Sequence, residues 1–239
     1  MKRFCIPPEH SAAFVQAMED VLDVYHLPLD PTRPVVCFDE TSKQLVKDIH
    51  EPLAARPGKP AQGKESAKPG KIAREDDQYV RCGTANIFLA VQPLTGIVVT
   101  QATERRTAFD CALFLRYLAD EVYPDASKLL LVSDNLNTHT AASFYEAFAP
   151  DEARRLTTKF EMHHTPKHGS WLNIAECQLS VLSRQCLDQR IASLTQLQHI
   201  LPAWQRSRKV SPTKWQFTTA AARIKLRRLY PITSNETRH

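Results

Sequence analysis

The chain has 239 residues, a formal net charge of +5 and an ordinary hydrophobic share of 43%, enough for one sizeable α/β domain with appendages. No apolar run approaches membrane-spanning length and residues 1–15 carry no apolar leader core, which argues against a membrane or exported protein. The six cysteines stand apart without a CxxC, so buried free thiols in a reducing cytosol are expected rather than a disulfide framework. A mild positive charge biases the chain toward polyanions, but local clusters decide whether it binds them.

In chain order, Pro7-Pro8-Glu9 followed by Phe14, Met18, Leu22 and Tyr25 predicts an amphipathic helix with proline at its start. Three prolines between Leu27 and Pro34 end it. Val35 to Phe38 is a short apolar run closed by Asp39-Glu40, a buried strand with carboxylates at its C-terminal end. Between residues 51 and 78 no period survives. Pro52, Pro57, Pro60 and Pro69 alternate with glycines and with Lys59, Lys64, Lys68 and Lys71, so a long, mobile basic loop is expected. It serves either as a solvated insertion or as an arm that grips a phosphate backbone through residues such as Lys59 and Lys64.

Ile87–Val91, a turn at Pro93–Gly96 and Ile97–Thr100 predict a β-hairpin. Thr107 to Val122 has the apolar spacing of a helix. Lys128 to Ser133 is a second buried strand, and it too runs into an acid, Asp134. A turn, a helix through Phe144 and Phe148, and a short strand near Met162 follow. Ser170-Trp171-Leu172 then enter a helix in which Glu176 lies about one and a half turns from the start, on the edge of an apolar face against the core. Leu197, Ile200, Leu201 and Trp204 space another helix, which Pro202 should kink or restart. The tail from Thr218 to Leu229 is helical and basic, with Arg223, Lys225, Arg227 and Arg228. Strands followed by helices, with one hairpin, make the fold class α/β: a mixed sheet flanked by helices. The expected organisation is an N-terminal helix and linker (1–34), a central α/β domain (35–192) with the mobile basic loop at 51–78, and a C-terminal helical extension (193–239).

Open α/β sheets place their sites at the carboxyl ends of strands, and two acids, Asp39 and Asp134, fall there. Glu176 would join them from a helix. Three converging carboxylates raise one another's pKa unless cations lie between them. Their hard oxygens suit Mg²⁺ or Mn²⁺, and two such ions about 4 Å apart activate a water or hydroxyl in phosphoryl transfer. The spacing of His163, His164, His168 and Cys177 fits no zinc finger. Trp171 is expected to anchor the start of its helix, and Glu40 to face away from Asp39 along the strand.

VVCFDE (35–40), LVSDNLNTHT (131–140) and HHTPKHGSWLNIAE (163–176) resemble the three catalytic blocks of bacterial insertion-sequence transposases of the six-thirty type, in the mariner-like superfamily. RCGTANIF (81–88), TERRTAFD (103–110), LSVLSRQCLDQRI (179–191) and WQFTTAAARIKLRRLYP (215–231) extend the resemblance over nearly the whole chain. It implies a ribonuclease-H-like domain with a D-D-E triad of Asp39, Asp134 and Glu176 holding two Mg²⁺ or Mn²⁺ ions. Asn135, His139 and Asn173 would line that site, and Lys167, His168, Arg223 and Arg227 would contact DNA. Such enzymes cut element ends with water and join the freed 3′-hydroxyl to target DNA at a TA dinucleotide, as a homodimer working in the bacterial cytoplasm on nucleoid DNA. Family members carry helix-turn-helix modules ahead of this domain, and none precedes it here. A truncated remnant that binds DNA or a partner transposase is therefore the competing expectation, with a structure-selective nuclease of the same fold as a third.

Overall fold

The computed structural model describes residues 11–50, 53–58, 69–72, 74, 77–134, 140–209 and 211–231. Expectations for Pro7, Pro8, Lys59, Lys64, Asn135 and His139 fall outside that set.

Five strands make one mixed sheet in the order β3–β2–β1–β4–β5. They are β1 (Val35–Asp48), β2 (Tyr79–Gln92), β3 (Ile97–Thr103), β4 (Leu129–Ser133) and β5 (Phe160–His164). The three chain-adjacent strands β1, β2 and β3 run antiparallel, while β4 and β5 continue the sheet parallel to β1. The parallel half has its crossovers filled by α2 (Ala108–Tyr117), α3 (Ala142–Ala147) and α4 (Pro150–Lys159). A capping box starts α2, with Thr107 and Asp110 each bonding the other's backbone N–H. The opposite face carries α1 (Ala12–Tyr25), α5 (Ile174–Leu182), α6 (Leu194–Ser207) and α7 (Thr219–Lys225).

The period-two alternation of the strands sorts two cores. Val35 and Cys37, Ile87, Leu89 and Val91, and Leu130 and Val132 point toward α1, α5 and α6. Val36 and Phe38, Phe88 and Ala90, and Leu129 and Leu131 point toward α2, α3 and α4. The first core unites residues from Phe14 to Leu229. The segments before residue 35 and after 192 therefore pack directly on the sheet that carries the acids.

Four differences from the sequence reading matter. β1 does not stop at Asp39: it continues through Thr41–Lys47, polar residues held by antiparallel pairing with β2 rather than by burial. Second, part of the 51–78 segment is ordered as a hairpin. Leu53 and Arg74, and Arg56 and Lys71, exchange backbone hydrogen bonds of 2.9–3.0 Å. These two bridges keep the register of Asp48 with Tyr79, so the described residues of this segment pair as an arm in line with β1 and β2. Third, α6 runs unbroken through Pro202, anchored by buried Leu197, Leu201 and Trp204 on its inner side. Tertiary packing outweighs the lost backbone donor. Fourth, the helix of Glu176 starts late: Ser170–Leu172 form a 3₁₀ turn and α5 begins only at Ile174.

The β2–β3 turn falls at Pro93–Gly96 as the sequence indicates. Gly96 has φ +76°, and a Cβ there would lie 2.8 Å from the backbone carbon of Ser211. Gly96→Ala is expected to cost roughly 2–3 kcal/mol in a denaturant titration. An unchanged midpoint would show that the 211–215 segment moves aside freely.

Candidate active site

The register of the parallel pair brings the first two acids together. Cys37 lies opposite Val132, so two residues further along each strand Asp39 stands beside Asp134, on the face covered by α1 and α5. Asp39 is buried, at 8% exposure. Its Oδ1 accepts from the Glu40 N–H at 2.8 Å and its Oδ2 from Asn173 Nδ2 at 3.3 Å. Burial pushes the Asp39 carboxyl up to about 7, opposed by the Glu40 N–H and reinforced by Glu176, Asp134 and Glu40. Glu176 is in the first turn of α5 and exposed, not against the core as its sequence position suggested. The protein mass behind it and, next, the Asp134 charge hold its pKa above the usual carboxylate range. The three acids thus stand in one another's field, at the rim of the sheet where solvent reaches Glu176.

The start of α5 is strapped to β1 from two directions. Asn173 caps the helix, its Oδ1 accepting from the Ala175 N–H at 3.1 Å, while its Nδ2 donates to Phe38 O at 2.9 Å beside Asp39. The Tyr25 hydroxyl donates to Leu172 O at 2.7 Å and accepts from the Ile174 N–H and the Cys37 thiol, each at 3.4 Å. At the far end α5 runs into a π turn, Ser183–Leu187, where Lys43 of β1 donates to Leu187 O and Gln189 O. Asn173 therefore joins the start of α5 to β1 at Asp39.

The other candidates are spread more widely. Glu40 faces the α2 side and pairs with Arg106 at 3.8 Å, as alternation predicts. Lys167 and His168 are exposed on the turn between β5 and α5, His168 at φ 65°, a conformation that L residues rarely adopt. A Cβ on Gly169 would come within 2.6 Å of the Pro166 ring, so this turn has little freedom. Trp171 is half-buried, 6.2 Å from the Phe217 ring, and anchors the turn. His164 bonds Ser133 Oγ and Asp134 O at 3.3 Å, and His163 bonds Asp20 at 2.8 Å. Arg223 is engaged internally: its guanidinium grips Glu19 of α1 through two bonds of 2.8 and 2.9 Å, and Tyr230 donates to the same carboxylate. Arg227 sits exposed in a 3₁₀ turn after α7. Tyr25 is the residue that sequence reading passed over. In the sequence it is one apolar position among several in α1, and its partners lie 147 and 149 residues away.

Among the described residues no group of three or more His, Cys, Asp or Glu side chains stands ready to hold a metal ion. In kind, though, the three acids fit a hard divalent cation. They offer carboxylate oxygens only, and the penalty on ionising Asp39 and Glu176 is one that a cation relieves.

An antiparallel three-stranded meander extended by two parallel strands, with carboxylates on adjacent central strands and a third on the covering helix, defines a ribonuclease-H-like nuclease domain. The sequence agrees: residues 34–198 match the DDE superfamily endonuclease family, and the chain belongs to it. Among solved structures it resembles the Mos1 strand transfer complex, with a TM-score of 0.53 and 15% identity over 87% of this chain and 58% of that one. The Mos1 transposase paired-end complex with left transposon end gives 0.53 and 15% identity over 88% and 59%. The mariner Mos1 paired end complex with Mg gives 0.54 and 14% identity over 97% and 67%. At such identities the likeness is one of fold, and the chain spans less than two thirds of the first two. No curated protein matches the sequence significantly. No helix among the described residues is long and apolar enough to cross a membrane.

Proposed function

We propose that this chain is the catalytic part of a transposase that cuts the ends of an insertion sequence and joins them to target DNA, with Asp39, Asp134 and Glu176 as its metal-holding triad. The observation that supports the reading is the arrangement of strand and helix: register sets Asp39 beside Asp134, and Asn173 ties Asp39 to the first turn of α5, which bears Glu176. Two divalent ions, when bound, supply an activated water or hydroxyl and stabilise the leaving oxygen at phosphorus. The chain's own residues do the holding. The Glu40 N–H and Asn173 fix the Asp39 carboxylate, and the cap on α5 fixes the backbone beneath Glu176. Lys167 and His168, exposed on the turn between β5 and α5, would meet DNA phosphates. Arg227, exposed after α7, would do so from the tail, as would Arg223, which also bonds Glu19 of α1.

The resemblance to six-thirty-type transposases supports a TA dinucleotide as target and a nucleoid-bound, cytoplasmic setting. A dimeric working form is supported by the arm, on which Ile49, Leu53, Ile72, Tyr79 and Val80 are all exposed, Ile72 at 79%. The paired-end assemblies of the Mos1 structures point the same way.

The test uses purified protein, Mg²⁺ and DNA carrying the inverted repeats that flank its gene. Nicking at the repeat ends is expected, with Asp134→Asn reducing it to background. Nicking that persists in Asp134→Asn or in chelator would remove the triad from the mechanism. Wild-type protein that binds the repeats without cutting them would identify a DNA-binding remnant.

A further inference from the structure

Tyr25 lies outside the family-matched stretch of residues 34–198, yet its hydroxyl sits behind the proposed triad. A phenol has one proton to give and two lone pairs to offer, and all three are used. The proton goes to Leu172 O, and the lone pairs meet the Cys37 thiol and the Ile174 N–H. Cys37 is two residues before Asp39 on the same face of β1, and Ile174 is two residues before Glu176 at the start of α5. One buried oxygen thus spans the two segments whose relative placement decides whether Asp39 and Glu176 can meet.

Among the described residues, Asn173 forms the other hydrogen-bonded strap at this junction. The first helical N–H groups have no partner within the helix. In α5 the Ile174 N–H goes to Tyr25 and the Ala175 N–H to Asn173. The Tyr25 ring is itself held, 5.1 Å from Trp215 of the C-terminal segment and enclosed in the core formed with α1 and α5. The turn that delivers Glu176 is therefore fixed by the N-terminal helix and, through Trp215, by the tail.

We infer that Tyr25 is a positioning residue of the active site, setting the start of α5 against β1 so that Asp39 and Glu176 share a divalent metal ion. The inference rests on the proposed metal-holding triad. Its chemistry is indirect, since Tyr25 touches no reacting atom. Removing the hydroxyl leaves the ring packed while freeing Leu172 O, the Ile174 N–H and the Cys37 thiol. Two polar backbone groups are then buried without their partner, and the junction relaxes away from β1.

The experiment is Mn²⁺ titration of the full chain by calorimetry at 10 °C, a temperature chosen to favour the folded state, alongside Mg²⁺-dependent cleavage. Tyr25→Phe is expected to weaken Mn²⁺ binding about tenfold and to raise the Mg²⁺ concentration needed for half-maximal cleavage by a similar factor. Leu156→Ala, in the core on the other side of the sheet, provides a variant of comparable instability and should bind Mn²⁺ as the wild type does. Should Tyr25→Phe fail to fold, Cys37→Ala removes only one of the three bonds and should weaken binding two- to threefold. Variants that melt earlier but bind Mn²⁺ like the wild type would make Tyr25 purely structural and overturn the inference alone. A wild-type chain that binds no Mn²⁺ would overturn the triad reading and this inference with it.

Discussion

Asp39→Asn is expected to abolish cleavage and at the same time to stabilise the metal-free protein at pH 8. The carboxyl of Asp39 is raised from an ordinary 3.8 to about 7, first by burial and then by the acids around it. A carboxyl whose folded pKa exceeds its unfolded one keeps its proton longer when folded. The contribution of Asp39 to stability is therefore fully present below about pH 4, is lost as pH rises toward about 7, and stays absent above that. The shift corresponds to about 4 kcal/mol at most. The amide keeps the acceptor for the Glu40 N–H but faces Asn173 Nδ2 with a donor, which offsets part of the gain. A net rise of roughly 1–3 kcal/mol at pH 8, shrinking toward zero at pH 4, should appear in denaturant titrations in chelator. Mg²⁺ should stabilise the wild type more at pH 8 than at pH 5, and Asp39→Asn hardly at all. Cleavage by the variant should fall by ~10³-fold or more. A variant less stable than wild type at pH 8, or one that cuts normally, would show that Asp39 does not bear this strain for function.

Phe114→Ala should cost about 3–5 kcal/mol, at the top of the range for a single core truncation. Phe114 is fully buried, and its ring lies 5.7 Å from Phe38 and 5.6 Å from Phe88. The three rings join α2 to the two central strands, and Phe38 is the residue immediately before Asp39. Truncation removes two aromatic pairs, each worth about 0.5–1.5 kcal/mol beyond the area they bury, and leaves a void that the packed neighbours fill only in part. A fall of about 10 °C or more in Tm is expected, with loss of cleavage at temperatures where the variant unfolds. A change below about 1 kcal/mol would mean that the core on the α2 side collapses around the gap and that β1 is held mainly from the other face.

The elements with strong local patterns were legible in the sequence. The apolar runs of β1 and β4, the turn at Pro93–Gly96 and the spacing of α2 and α6 each announce their structure within a few residues. The sequence was silent wherever distant partners decide. The polar residues Thr41–Lys47 form strand only because β2 lies alongside, and Pro202 stays in a helix only because Leu197, Leu201 and Trp204 bury its inner side. Leu53, Arg56, Lys71 and Arg74 sit in a stretch rich in proline and lysine, and only the β1–β2 ladder carries their pairing onward. In the candidate site, the blocks around Asp39, Asp134 and Glu176 singled these acids out, and the strand register sets the first beside the second. The geometry of Glu176 was not: the 3₁₀ turn at Ser170–Leu172 moves the helix start to Ile174 and turns the acid outward. The ion pair of Arg223 with Glu19, 204 residues away, could not be read from the basic tail. Tyr25 needed the fold before its hydroxyl had any meaning.

The central claim is that three acids from β1, β4 and α5 close on shared divalent ions, and anomalous diffraction from crystals grown with Mn²⁺ tests it most directly. Mn²⁺ peaks held by the carboxylates of Asp39, Asp134 and Glu176 are expected, and they should be lost in Asp134→Asn. A Glu176 side chain turned to solvent, with Mn²⁺ elsewhere or absent at saturating concentration, would contradict it.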